Sequence, residues 1–178
     1  MKKLLIGLAF VASTSVFASV KGGKIGVNFS YAASTPSFGA WWHITDMIAI
    51  TPSVGYTNKT TTYSNSETTS SDLVFGLGVP IYLAKFNILD LYVSPAFSYT
   101  SSSTKVTTAA GSASGTSSAL GFSGSLGLQV AVNDQIHLFG ELGFGYSKND
   151  PGSTTATTGP TTTIGTTRTA VGAIFYFN

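Results

Sequence analysis

RTAVGAIFYFN, residues 168–178, is the stretch of this chain that decides its fold. One of its two alternating rows is apolar and ends in two aromatic residues: Val171, Ala173, Phe175 and Phe177. The other row is mixed and partly polar. Because successive side chains of a β-strand point to opposite faces, the pattern predicts a strand with an apolar medium on one side and a filled, partly polar interior on the other.

Seven further segments of alternating character precede this stretch, separated by turn signals. They span residues 23–32, 37–45, 47–58, 72–84, 90–100, 119–132 and 135–147. The eight predicted strands are long enough to cross a bilayer with tilt, at roughly 9–11 residues per crossing. Pro52 and Pro80 fall inside two of them. We expect a bulge or distortion at each, because a closed sheet has no edge on which to place a missing N–H group.

Outward-facing aromatic residues gather near one end of seven strands: Tyr31, Phe38, Tyr56, Phe75, Tyr99, Phe122 and Tyr146. Long Ser- and Thr-rich loops are expected at that end, at residues 59–71, 101–118 and 148–167, and short turns at the other end. Packing in a soluble β-sandwich does not explain this shared position, whereas an interfacial girdle does. The sequence therefore predicts an all-β fold, an eight-stranded antiparallel up-and-down transmembrane β-barrel over residues 19–178.

The start of the chain predicts a cleaved signal peptide at residues 1–18. A basic head, an apolar run to Val11 and small residues up to Ala18 follow one another in the required order. Without Lys2 and Lys3, seven basic and seven acidic residues remain, and only 9% of the chain is charged. We therefore expect no nucleic-acid partner, since no basic patch is left. The absence of cysteine excludes a disulfide framework and thiolate metal sites.

The chain resembles the small eight-stranded outer-membrane barrels of the OmpA transmembrane, OmpX and opacity-protein types. Gly172, Phe175 and Phe177 match the C-terminal pattern of these families, although Asn178 adds one residue beyond it. The resemblance implies a porin-like, non-enzymatic, monomeric surface protein of the Gram-negative envelope, with both termini periplasmic. It also implies that the last strand is read by the barrel-assembly machinery. Because the chain ends on that strand, we expect no peptidoglycan-binding domain after the barrel.

The predicted lumen is narrow, because eight strands leave just enough space for side chains to fill. A polar network of Lys24, His137, Glu141 and Arg168 is expected there, with a Glu141–Lys24 ion pair as the hypothesis for a plug. Hydration of these charges by lumen water is an equal alternative. Small inward residues on the sixth predicted strand either leave a narrow water file or make room for Trp41, Tyr82 and Tyr92, and we favour the second interpretation.

The sequence favours a structural or adhesive role, with a host or surface ligand bound by the loops. The alternative is a narrow channel or small-solute conduit. Lys148 lies in the outward register and is the best candidate for contact with lipopolysaccharide phosphates, although we favour the interpretation that it is a solvated loop charge. A lipid-modifying enzyme is disfavoured. The deacylases among small outer-membrane barrels pair a His with a Ser two residues away on a strand, and the nearest match here, His43 and Thr45, has Thr in place of Ser. We therefore predict no catalytic site, no cofactor and no metal.

Overall fold

The computed structural model describes residues 21–32, 35–152 and 159–177. The predicted signal peptide and Asn178 lie outside these residues. No helix within them is long and apolar enough to span a membrane. The described part contains nine β-strands: β1 (Ile25–Ala32), β2 (Thr35–His43), β3 (Ala49–Tyr63), β4 (Ser66–Gly78), β5 (Ile81–Phe86), β6 (Leu89–Thr108), β7 (Gly111–Ala131), β8 (Ile136–Asp150) and β9 (Thr161–Phe177).

The strands form one antiparallel sheet that closes on itself. Strand β1 pairs with β9, and β4 pairs with β6, so the ring has eight members with β5 continuing the line of β4. The predicted eight-stranded up-and-down barrel is confirmed. Closure removes both sheet edges, and hydrocarbon surroundings would require this, since each unpaired backbone group costs several kcal/mol there.

Pro80 divides the predicted fourth strand into β4 and β5. The register with β6 is unchanged across the break, and a shift follows only between Tyr82 and Ala84. The Pro80 carbonyl still accepts a hydrogen bond from the Ala49 N–H at 3.0 Å, which keeps the ring connected. The expected distortion is therefore present as a gap in pairing, because proline has no N–H to donate.

Pro52 has a similar effect on the β2–β3 ladder. Pairing is interrupted opposite Ala40 and Trp41, with paired residues on both sides of the gap and no shift of register. The ladder between β3 and β4 continues through Pro52 without interruption. Pro52 therefore interrupts the pairing of β3 with β2 but not the pairing of β3 with β4.

Two segments predicted as loops are strands instead. Residues 59–71 and 101–118 belong to the β3–β4 and β6–β7 hairpins, which end in two-residue turns at 64–65 and 109–110. Thr suits an extended backbone, and the ladder pairs residue for residue to the tips. From Tyr99 to Thr108, β6 rises roughly 30 Å at about 3.3 Å per residue. We call this the hairpin end of the barrel, and the opposite end, with its short connections, the turn end.

The β1–β2 hairpin is short, and this leaves a notch at the hairpin end. Among the described residues, 58–63 of β3 pair only with β4, and 161–165, 168 and 169 of β9 pair only with β8. In the part of the chain that the structure describes, the sheet above the ring is therefore open, with strands β3, β4, β6, β7, β8 and β9 in that order and two free edges.

Candidate functional site

The outer face of the ring is apolar on every strand. The seven aromatic residues of the predicted girdle all lie on it with exposed side chains: Tyr31, Phe38, Tyr56, Phe75, Tyr99, Phe122 and Tyr146. Between them and the turn end, Leu142 and Phe144 are 63% and 69% exposed. Soluble monomers rarely expose a contiguous apolar patch of more than a few hundred Å², so this face belongs against lipid. The interfacial role of the girdle remains a prediction.

The turn-end half of the lumen is closed by buried aromatic and polar side chains. We call this group the plug; each member is at most 7% exposed: Trp41, His43, Tyr82, Tyr92, Gln129, His137, Phe139, Ile174 and Tyr176. Their rings pack edge-on or tilted, for example Trp41 against Tyr92 at 6.0 Å and 82°. Such geometries suit aromatic pairs, so the plug is held by packing as well as by polar contacts.

Gln129 is the centre of the polar contacts in the plug. Its Oε1 accepts a hydrogen bond from the Tyr82 hydroxyl at 2.6 Å. Its Nε2 donates to the Tyr176 hydroxyl at 3.2 Å and contacts His137 Nδ1 at 2.8 Å. Because an amide nitrogen only donates, His137 Nδ1 accepts. His43 Nε2 lies 2.9 Å from the Tyr176 hydroxyl and continues the network to β2.

Glu141 lies at the upper boundary of the plug, where its carboxylate accepts from the Tyr92 hydroxyl at 3.0 Å and from Ser125 Oγ at 3.2 Å. Strand β7 makes room for Tyr92, since a Cβ on Gly127 would overlap the Tyr92 ring. At Gly127 this geometry supports the interpretation that small residues on the sixth predicted strand accommodate bulky neighbours, whereas Gly121 and Ser123 of the same strand border open space.

The hypothesised ion pair between Lys24 and Glu141 is wrong. Glu141 pairs with Ala170, which pairs with Ala32 on β1, so Lys24 lies roughly 26 Å further along that strand at about 3.3 Å per residue. The Lys24 ammonium instead approaches the Asp134 carbonyl at 3.5 Å at the turn end. Ile174, which faces into the plug from β9, pairs with His137 rather than with Glu141.

The other predicted site residues are dispersed. His137 is in the plug, whereas the Arg168 side chain lies outside the described residues and only its backbone position opposite Gly143 is known. Lys148 is exposed on the outer register of β8, paired with Leu120 and Thr162.

The three residues of the predicted C-terminal assembly signal lie on β9. Phe175 and Phe177 face outward and are exposed. Gly172 faces inward, where a Cβ would overlap the Phe139 ring and the Phe29 carbonyl. The glycine therefore also has a packing reason within this barrel.

The hairpin-end half of the lumen is a cavity of about 400 Å³. It exists because the inward residues there are small, among them Gly55, Gly76, Ser98, Gly121 and Ser123. Asp72 and Glu141 contribute carboxylates to its wall, and Trp41 and Phe139 form its floor. This cavity was not predicted from the sequence, although the inward rows change from bulky residues in one half of the barrel to small residues in the other, a pattern that indicates an open space.

No catalytic pair forms at His43 and Thr45. His43 is fully buried in the plug, while Thr45 Oγ1 accepts turn hydrogen bonds from the N–H groups of Met47 and Ile48 at 3.2 and 3.0 Å. Among residues 21–32, 35–152 and 159–177, no group of three or more His, Asp or Glu side chains could hold a metal ion.

Several solved structures share this fold. The attachment invasion locus protein Ail of Yersinia pestis is 14% identical, with 86% of this chain and 95% of Ail covered at a TM-score of 0.52. A major outer membrane protein from Thermus thermophilus is 9% identical, with coverages of 86% and 98% and a TM-score of 0.58. Neisserial surface protein A is 14% identical, with coverages of 86% and 95% and a TM-score of 0.50.

The fold is that of the small eight-stranded outer-membrane barrels. No protein-family model and no curated protein matches the sequence. At identities this low the likeness shows the architecture alone, and the side chains of the plug and the cavity have to be interpreted from their own contacts.

Proposed function

We propose that this chain is an integral outer-membrane surface protein that carries out no catalysis and contacts surfaces or macromolecules through its extended hairpins. The observation that carries the proposal is the open sheet above the ring. A membrane anchor needs only the closed barrel, whereas this chain continues β3–β4 and β6–β7 well beyond it. Free sheet edges are templates for pairing with another extended chain.

The apolar outer face supports the membrane location. The plug supports the structural or adhesive role over the conduit, because it closes the turn-end half of the lumen with fully buried side chains. Ail, which shares this fold, is an attachment invasion locus protein, and this agrees with a role in surface contact. We place both termini on the periplasmic side and the hairpins outside.

A hairpin-shortening variant tests the adhesive role. Residues 59–70 and 104–115 are each replaced by Asn-Gly, which joins the paired residues Asn58 and Ser71, and Ser103 and Thr116, through tight turns. Both hairpins are shortened because β4 covers the edge of β6, and shortening β3–β4 alone would expose β6 as a new edge. The matched control keeps both full hairpins and changes only residues 64–65 and 109–110 to Asn-Gly. We expect bacteria displaying the shortened protein to lose adhesion to epithelial monolayers while the control retains it.

Two readouts accompany that experiment. A heat-dependent gel shift of outer-membrane fractions shows that both variants are inserted and folded. Adhesion that survives the shortening would contradict the adhesive role, and a discrete single-channel conductance in planar bilayers would favour the conduit instead.

We also propose that Lys148 contacts lipopolysaccharide phosphate and that β9 is read by the barrel-assembly machinery. Lys148 is exposed in the outward register, two residues beyond Tyr146. Lys148→Ser should weaken stabilisation by lipopolysaccharide in reconstituted bilayers more than Lys59→Ser, because the side chain of Lys59 is in the inward register of β3.

Phe177→Ser tests the role of β9 in assembly. It should slow assembly of the barrel in liposomes that contain the assembly machinery, and an unchanged rate would contradict that role.

A further inference from the structure

We propose that the cavity in the hairpin-end half of the lumen is a binding site for a small neutral polyhydroxylated molecule of disaccharide size. Its volume of about 400 Å³ falls within the range of about 300–1,000 Å³ for small-molecule pockets. The plug closes it towards the turn end. Its upper wall includes Thr35, Thr100 and Ser147, at the level where the long hairpins leave the ring.

The wall of the cavity is rich in hydrogen-bond acceptors. Asp72 contributes carboxylate oxygens, and Ser53, Ser98 and Ser123 contribute hydroxyl oxygens. The Glu141 carboxylate borders the cavity as well, but it already accepts hydrogen bonds from Tyr92 and Ser125. This wall favours a ligand that brings several hydrogen-bond donors.

The remaining lining narrows the ligand to a polyol. Ser and Thr hydroxyl groups from several strands surround the space, and each can both donate and accept, as the hydroxyl groups of a sugar require. The floor is formed by Trp41 and Phe139, whose ring centroids lie 5.1 Å apart and which expose only 2% and 7% of their surface, so the lower end of the cavity is closed and apolar. Among the described side chains of the wall, the charged groups are carboxylates, which disfavour an anion, and the many hydroxyl groups disfavour a fully apolar solute.

Trp41 provides a reporter at the floor of the cavity. The chain has two Trp residues, and Trp42 points to the outer face with 48% of its surface exposed. Trp42→Phe therefore leaves Trp41 as the single fluorophore. The folded protein in nanodiscs is titrated with maltose and with cellobiose, and separately with spermidine as a cationic probe. We expect a saturable change in Trp41 emission with a disaccharide at millimolar concentration and none with spermidine.

Two substitutions on β7 separate the cavity from the outer face. Ser123→Phe fills the cavity, because its cross-strand neighbours are Ala96 and Gly145 and leave space for the ring. Gly124→Phe introduces the same side chain one position on, where a Cβ meets nothing within 4 Å. We expect Ser123→Phe to abolish the disaccharide response and Gly124→Phe to retain it.

A third variant covers the case in which Ser123→Phe does not fold. Asp72→Ala removes a carboxylate acceptor of the wall and should raise the disaccharide Kd about tenfold, the cost of one hydrogen bond. Saturation-transfer NMR on the same samples detects sugar binding independently of Trp41. An absent or non-saturable response in both measurements, a response equal in Ser123→Phe and Gly124→Phe, or binding of spermidine alone would overturn the proposal.

Discussion

The hydroxyl group of Tyr82 donates to the side-chain carbonyl of Gln129 at 2.6 Å across the lumen. This contact joins β5 to β7, and Gln129 extends it to His137 on β8 and Tyr176 on β9. The centre of the plug is therefore a neutral amide. A neutral centre avoids the large desolvation cost that a buried ion pair would carry.

Gln129→Leu should lower the free energy of unfolding by about 2–4 kcal/mol, because it leaves several buried polar groups without one of their partners. Gln135→Leu, the same substitution at an exposed residue, should change it by less than about 0.5 kcal/mol. Urea titration in detergent micelles, followed by the gel shift of the folded form, measures both. Equal stabilities for the two variants would show that the amide does not stabilise the plug.

Gly127→Ala should destabilise the barrel by about 1–3 kcal/mol, because its Cβ would overlap the Tyr92 ring. Gly124→Ala on the same strand should be tolerated, since a Cβ there meets nothing within 4 Å. The same urea titration compares them. Adding Tyr92→Leu to Gly127→Ala should recover part of the loss, and an absence of any recovery would contradict the packing argument.

Lys24→Ala and Glu141→Ala should have additive effects on stability, within about 0.5 kcal/mol, because the register keeps the two residues far apart. Glu141→Ala should cost more than Lys24→Ala, since it removes the acceptor of the Tyr92 and Ser125 hydroxyl groups. A double-mutant cycle on urea midpoints makes the measurement. A coupling energy of more than about 1 kcal/mol would restore the ion pair.

Leu126→Arg should destabilise the protein in lipid bilayers by about 2–4 kcal/mol, the cost of a cation near the bilayer midplane. Leu126 faces outward on β7 and is 55% exposed. Thr116→Arg on the same row lies beyond the aromatic residues and should cost less than about 1 kcal/mol. Similar costs at the two depths would argue against burial of this outer face in a membrane.

The sequence by itself determined the barrel and the face that each strand turns outward. Alternation has a period of two, so the exposed side of residues such as Phe122 and Phe144 could be predicted from one chain. The positions of Pro52 and Pro80 also predicted where strand pairing is interrupted, because proline itself lacks the N–H group that the ladder needs. The strand limits were less predictable, because Thr-rich segments suit both a loop and an extended hairpin.

Only the tertiary structure decided which inward residues meet. A long connection between β8 and β9 leaves their register free in the sequence, and a bulge between Gly143 and Gly145 shifts it again. Glu141 was therefore assigned the wrong partner, and Gln129 was not recognised as the centre of the plug. The cavity also depends on the register between strands, because an empty space forms only where small side chains of different strands lie at the same level of the barrel.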